Sequence, residues 1–225
     1  MASLGLQVTR VCVGDPQFAW ARALEFALFG MANGFTSAAD RDVGRMRWYD
    51  PYEASSEFYV ARASTGEVAG LVRMIRHDPS RAMGSFSTVV DARSYAPPGQ
   101  APRTYLDDRW ARFFARTAPD KFAELATQAV AREYRRMWVI EYLWFCMADT
   151  CRAEGVDFWT LALVLPLFRW YKRLFPGALE ALGTTMPDYI GADSIPAIFH
   201  IRHPEVERHR VNFHEVCQRR GEPCQ

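Results

Sequence analysis

Between Lys121 and Phe175 the chain runs through four segments of alternating hydrophobic period. Residues 121–136, KFAELATQAVAREYRR, alternate and end in a basic cluster. Residues 137–155, MWVIEYLWFCMADTCRAEG, are a helix-length apolar run closed by Gly155. VDFWTLALVLP is strand-like and stopped by Pro166, and LFRWYKRLF is a short aromatic helix. Strand, helix, strand, helix is the unit of an α/β sheet with parallel pairing. The first half of the same sheet precedes it. Residues 6–13 read as a strand, and Asp15 with Pro16 reads as N-cap and first position of a helix over 17–31, ended by Asn33-Gly34. Residues 36–51 have no clean period and are dense in charge, which predicts an ordered loop or irregular helix. Residues 56–63 and 67–76 flank Ser64-Thr65-Gly66 and predict a hairpin.

Residues 79–119 hold Pro97-Pro98-Gly99 and a helical patch at 104–116, and are expected to be an insertion between the third and fourth strands. Such long irregular stretches are often binding loops or lids. Residues 183–194 read as loop, 195–201 as a last strand, and 204–225 as a charged tail forming a surface helix. The expected organisation is one domain over 1–203 followed by that tail.

At 225 residues and 49% hydrophobic the chain can bury a sizeable core, which excludes disorder. A net charge of +1 gives no case for nucleic acid or an anionic membrane. The longest apolar run, 137–148, is interrupted by Glu141 and is too short for a bilayer span. The first residues lack a basic segment leading into a long apolar one, so no signal peptide is expected. The five cysteines (Cys12, Cys146, Cys151, Cys217, Cys224) are an odd count and read as reduced thiols in a cytoplasmic protein. His200, His203, His209 and His214 lie near Cys217 and Cys224, but their spacing matches no metal-ligand pattern, and no metal is expected. Neither G-x-S-x-G nor H-E-x-x-H occurs.

The order strand, helix, charged loop, hairpin, insertion, strand, helix, strand, helix, strand resembles the GCN5-related N-acetyltransferase (GNAT) fold. That fold is a mixed α/β architecture, with a strongly twisted central sheet flanked by helices. Residues 46–76 narrow the resemblance. Tyr49-Asp50, a strand, the Gly66 turn and Gly70-Leu71-Val72-Arg73 are similar to the N-terminal half of acyl-homoserine-lactone (autoinducer) synthases. Glu124-Leu125, Ala129-Val130 and Tyr134-Arg135 are similar to the central strand of that group and of N-acyl amino acid synthases. The resemblance covers most of residues 5–200.

Three departures shape what it implies. Acetyl-CoA-using members carry a glycine-rich diphosphate loop after the central strand, whereas residues 135–140 here read Arg-Arg-Met-Trp-Val-Ile. Without glycines a tight diphosphate cradle is disfavoured. A donor on an acyl carrier protein needs only a phosphopantetheine arm with one phosphate, which Arg132, Arg135 and Arg136 could meet. Second, the acidic pair that precedes Tyr-Asp in homoserine-lactone synthases is replaced by Arg45 and Arg47, beside Trp48 and Asp50. That reversal suits an anionic acceptor rather than the sulfonium of S-adenosylmethionine. Third, Thr127 stands where those synthases usually carry Arg.

The implied reaction is attack of an amine on a thioester. It needs a deprotonated amine, stabilisation of the tetrahedral oxyanion and an acid for the thiolate leaving group. Glu124 is the candidate base, on a strand whose alternate residues Phe122, Glu124, Ala126, Gln128 and Val130 are expected to face one way. The alternative is an exposed strand glutamate. Backbone N–H groups near 126–129 would hold the oxyanion. Tyr171 matches the position where many acetyltransferases of this fold keep a general acid, or else belongs to an aromatic helix packed on the sheet. Arg73 is implied to hold an active-site carboxylate or the Asp50 loop, or is a rim arginine. An acyl slot would draw on Trp138, Tyr142 and Phe158, though most aromatics at such spacing are plain core.

The expectation is an N-acyltransferase moving a fatty acyl group from an acyl-carrier-protein thioester to a primary amine, an amino acid or related carboxylate-bearing amine. The co-substrate is acyl-ACP or acyl-CoA, with no permanently bound cofactor. The competing readings are a homoserine-lactone synthase using S-adenosylmethionine, a CoA-dependent acyltransferase, and a non-catalytic acyl-binding module.

Overall fold

The computed structural model describes residues 5–32, 34–135 and 137–219, with the side chains of 216–219 left out. Asn33, Arg136, Cys224 and the Cys217 side chain therefore lie outside what is described. One sheet is built from β1 (Gln7–Cys12), β2 (Ser56–Arg62), β3 (Val68–Arg76), β4 (Phe122–Val130), β5 (Phe158–Val164), β6 (Leu179–Ala181), β7 (Met186–Tyr189) and β8 (Ala192–His200). The spatial order is β1-β2-β3-β4-β5-β8-β6, with β7 also on β8. Neighbours pair antiparallel except β4 and β5, which are parallel as the strand–helix–strand pattern requires.

The helices are α1 (Phe18–Glu25), α2 (Ala38–Val43), α3 (Ser87–Arg93), α4 (Asp108–Arg116), α5 (Val139–Ala153), α6 (Leu165–Leu174) and α7 (Pro204–Arg219). Alternation along the strands sends side chains to two layers. On one face Ala61, Val72, Met74, Leu125, Trp159 and Phe199 meet α5 and α6, with Trp144 stacked on Tyr171 at 4.5 Å. On the other, α1 covers Val11, Phe58 and Leu71, while α3 and α4 cover Phe122 and Ile198. The tail helix α7 is anchored by Val206 and Phe213, the latter against Tyr142 and Phe145.

Several expectations are corrected. Asp15 does not cap α1. Its carboxylate accepts the Cys12 N–H at 2.6 Å and closes the turn after β1, and the N-cap is Gln17 without a side-chain bond. The helix expected over 17–31 is α1 followed by a π-helical stretch, Phe26–Met31. Residues 36–51 take the irregular helical form, one of the two expected: Ser37 and Asp40 form a reciprocal capping box on α2, and Arg47–Ser55 is 3-10 helical. The insertion does lie between β3 and β4, but contains α3 as well as the anticipated helix, which starts at Asp108 rather than 104. The stretch 183–194 is not all loop, since β7 and the start of β8 occupy it.

The correction that matters most is in β4. Arg73 pairs with Thr127 but Met74 with Leu125, so Ala126 is an extra residue, a β-bulge. The bulge resets the alternation. Phe122 and Glu124 share the α1/α3 face with Thr127 and Ala129, and Ala123 and Leu125 share the α5 face with Gln128 and Val130. The expectation that 122, 124, 126, 128 and 130 all face one way fails there.

Candidate active site

The bulge also ends the pairing of the two parallel strands. β4 and β5 are in register only from Phe122–Phe158 to Leu125–Leu161, and beyond that they separate. A cavity of about 250 Å³ fills the split. Its floor is 124–128 of β4 and 161–164 of β5, and its walls include Phe29, Phe35, Tyr49, Thr88, Tyr189 and Ile190.

Glu124 lies in this cavity, 1% exposed. Its Oε1 accepts the Ser87 hydroxyl at 2.5 Å, the Thr88 hydroxyl at 3.1 Å and the Thr88 N–H at 3.2 Å. Oε2 has only the long, shared contact to the Thr88 N–H, at 3.2 Å. Burial pushes this carboxyl up to about 7, with the Ser87 and Thr88 bonds opposing and Asp91 adding to the rise. A carboxyl half-ionised near neutral pH is suited to taking a proton. Tyr49 closes one wall and donates to the Ala126 carbonyl at the bulge, 2.9 Å away. Tyr189 closes another and donates to Asp91 at 2.7 Å.

Arg73 is placed behind this wall, 2% exposed. It grips Glu25 of α1 in a bidentate pair (2.9 and 2.5 Å), and Thr127 donates to the same carboxylate at 2.6 Å. Arg73 also lies under the Tyr49 ring at 4.9 Å. It thus ties α1, β4 and the Tyr49 turn together and does not reach Asp50. Asp50 is instead held by Arg45 (3.0 Å twice) and approached by Arg22. Arg47, Trp48 and Asp50 line a neighbouring open groove with Ser37 and Asp40, and that groove shares Phe35 and Ile190 with the cavity.

Tyr171, Trp138 and Arg135 share a third concavity at the start of α5, with Tyr134, Glu141 and Trp170. Arg132 is exposed on the adjacent 3-10 turn, and Arg136 is outside the described residues. Trp138 takes φ +57, a left-handed conformation that glycine adopts without cost. Burial keeps Tyr171 protonated well past its ordinary range, and a hydrogen bond links it to Gln128 of the cavity floor. Phe158 and Tyr142 do not line the cavity: Phe158 stacks on Phe122 at 5.2 Å, and Tyr142 donates to the Leu6 carbonyl. Among the described residues no three His, Cys, Asp or Glu side chains converge as a metal site.

No protein-family model and no curated protein matches the sequence. Solved structures do match. MesI, a CoA-dependent acyl-homoserine lactone synthase, is similar at TM-score 0.59 and 12% identity, over 92% of this chain and 95% of that one. FeeM, an N-acyl amino acid synthase from uncultured soil microbes, is similar at TM-score 0.57 and 12% identity, over 91% and 95%. BjaI, a CoA-dependent acyl-homoserine lactone synthase solved with SAM and isopentyl-CoA, is similar at TM-score 0.56 and 15% identity, over 97% and 91%. The chain has the GNAT fold. At such identities the likeness is one of fold. Within this GNAT fold, the residues that sequence reasoning missed are Glu25, Ser87, Thr88, Asp91 and Tyr189. Four of them come from the insertion and the 183–194 stretch, which carry no period; only the Ser87-Thr88 pair before an apolar step was a visible helix-start signal.

Proposed function

We propose that this chain is an N-acyltransferase that moves a fatty acyl group from an acyl-carrier-protein thioester to a primary amine bearing a carboxylate. The observation that carries the reading is Glu124, buried in the β4/β5 split and pushed to about 7. Glu124 Oε2 removes a proton from the acceptor nitrogen, which attacks the thioester carbonyl. The tetrahedral oxyanion is met by backbone N–H groups of β4 at the bulge, where that strand has left β5. The C–S bond then breaks and the thiolate leaves. Tyr171 holds its proton more tightly than a thiol, so it stabilises the thiolate by a hydrogen bond, and the proton that completes the thiol comes from solvent.

The apolar walls of the split, Phe29, Leu161, Leu163 and Leu167, suit an acyl chain. Arg47 in the adjoining groove suits the acceptor carboxylate, and the Arg45–Asp50 pair removes the acid that a sulfonium would need. A carrier-protein donor is favoured over CoA by the first turn of α5. That turn has no glycine, and Glu141 is buried there, its carboxylate bonded to its own backbone N–H. A diphosphate at that helix start would meet a buried carboxyl already occupying a backbone N–H. Arg132 and Arg135 remain for one phosphate or an acidic carrier.

The test is mass spectrometry of lipids from a host expressing this chain beside a Glu124→Gln strain, followed by turnover with acyl-ACP and with acyl-CoA. New N-acyl amino acids that vanish in the variant support the reading. Acyl-homoserine lactones with release of methylthioadenosine would replace it with the synthase, and turnover with acyl-CoA alone would overturn the choice of donor.

A further inference from the structure

Five hydroxyl-bearing side chains line the cavity, and each donates its proton to a carbonyl or carboxylate oxygen. Tyr49 donates to the Ala126 carbonyl at 2.9 Å, Ser194 to the Ala192 carbonyl at 3.1 Å, and Thr127 to the Glu25 carboxylate at 2.6 Å. Tyr189 donates to Asp91 at 2.7 Å and Thr88 to Glu124 Oε1 at 3.1 Å. Carbonyl and carboxylate oxygens only accept, so each hydroxyl proton is committed to its partner. The one side-chain amide in the lining, Gln128, accepts the Trp144 indole N–H at 3.1 Å and is bonded to Tyr171. Among the described residues, the five hydroxyls of the lining therefore have only lone pairs left to offer the lumen, beside the Glu124 carboxylate.

Tyr189 is held in that pose by more than Asp91. The rings of Trp48 and Tyr95 meet it edge-on at 5.7 and 5.4 Å. Its neighbours Asp188 and Ile190 take φ +50 and +51, a conformation that is strained for a β-branched residue. Strain of this kind persists where the surroundings over-determine a side chain's position.

We propose that Tyr189, locked by Asp91, and Tyr49, locked by the Ala126 carbonyl, position the acceptor nitrogen. Their phenol lone pairs stand with Glu124 Oε2 to receive a protonated primary amine. The cavity then admits its acceptor as the ammonium and rejects carboxylates and alcohols. Once the ammonium is bound, one N–H bond breaks and one O–H bond forms at Glu124 Oε2, leaving a neutral amine held by two remaining N–H···O bonds; after attack a second N–H bond of the tetrahedral intermediate breaks and that proton passes to water, while solvent protonates the departing thiolate. The proposal rests on the reading of the cavity as the acceptor end of an acyl transfer. It adds the form in which the acceptor enters and the residues that orient it.

The experiment is binding without any acyl donor. n-Butylammonium, n-butanol and butyrate are titrated at pH 8 into the full chain and into Tyr189→Phe and Asp91→Asn, read by amide shifts at 126–128. Wild type is expected to bind butylammonium at least about tenfold more tightly than butanol, with no saturation by butyrate. Tyr189→Phe is expected to cut that preference about tenfold. Asp91→Asn, whose amide can donate to Tyr189 and free the phenol proton, is expected to cut it as far and to strengthen butanol. The readout is a ratio within one protein, so partial loss of folded variant does not mimic it. Butanol or butyrate binding as tightly as the ammonium, an undiminished preference in Tyr189→Phe, or no binding of any probe would overturn the proposal. If the ammonium preference holds but no acyl thioester is ever turned over, the transferase reading falls and the ammonium site stands. Amide synthesis without the preference leaves the opposite.

Discussion

Replacing Glu124 by Gln separates the two parts a buried carboxylate can play. The carboxyl moves from 4.5 to about 7, chiefly because burial penalises the charged form. A raised folded-state pKa stabilises fully below the unfolded value, near pH 4.5, and that contribution is lost as pH rises through about 7. At about 1.36 kcal/mol per pH unit of difference, the shift corresponds to about 3 kcal/mol. Gln keeps a carbonyl acceptor for Ser87 and Thr88 and never ionises. Glu124→Gln is therefore expected to be the more stable protein at pH 8, by up to about 3 kcal/mol, and within about 1 kcal/mol of wild type at pH 5. Asp91 titrates in both proteins and largely cancels in the difference. Amide formation is expected to fall by about 10²–10⁴. The wild-type rate should rise with pH to a plateau above about 7, a limb the variant lacks. Urea unfolding at the two pH values and a pH–rate profile read both effects. A variant less stable than wild type at pH 8, or a stability gap unchanged between pH 5 and 8, would refute the assignment of Glu124 as a carboxylate held at a cost for chemistry.

Glu25→Ala leaves the Arg73 guanidinium buried without its partner and is expected to cost about 3–5 kcal/mol in urea unfolding, whereas Arg45→Ala, at a half-exposed pair, should cost under about 1 kcal/mol. A loss at Glu25 no larger than at Arg45 would contradict the buried-pair account. Gly70→Ala places a Cβ 2.7 Å from the Ala129 carbonyl oxygen and 2.9 Å from a Val139 methyl, and is expected to lower stability by about 2 kcal/mol. For a chain of this length that is about 4–8 °C in a thermal melt, and an unchanged midpoint would mean β3 and β4 are less closely held than they look. Arg132→Glu with Arg135→Glu should raise KM for an acyl-ACP donor with little change in KM for the acceptor; equal effects on both would move the donor site elsewhere.

The alternating runs of β2, β3, β4 and β5, the apolar length of α5 and the proline that starts α6 determined the element order by themselves, and with it the fold. Each of those signals is local: a period of two or 3.6, a turn glycine, a proline at a helix start. They also placed Glu124 on the central strand and Arg73 on its neighbour. What tertiary structure alone decided is the site. One extra residue at Ala126 reverses the facing of everything after it and parts β4 from β5, and no local pattern marks it because Ala fits either face. The three-residue β6 and four-residue β7 exist because β8 offers them an edge. Ser87 and Asp91, one turn apart on α3, lie far along the chain from Glu124 and Tyr189, and the four converge only because α3 and β7 fold over the split. Glu25 was invisible as the partner of Arg73 for the same reason: on α1 it has the look of a solvated helix charge, and only the packing of α1 against β3 buries it.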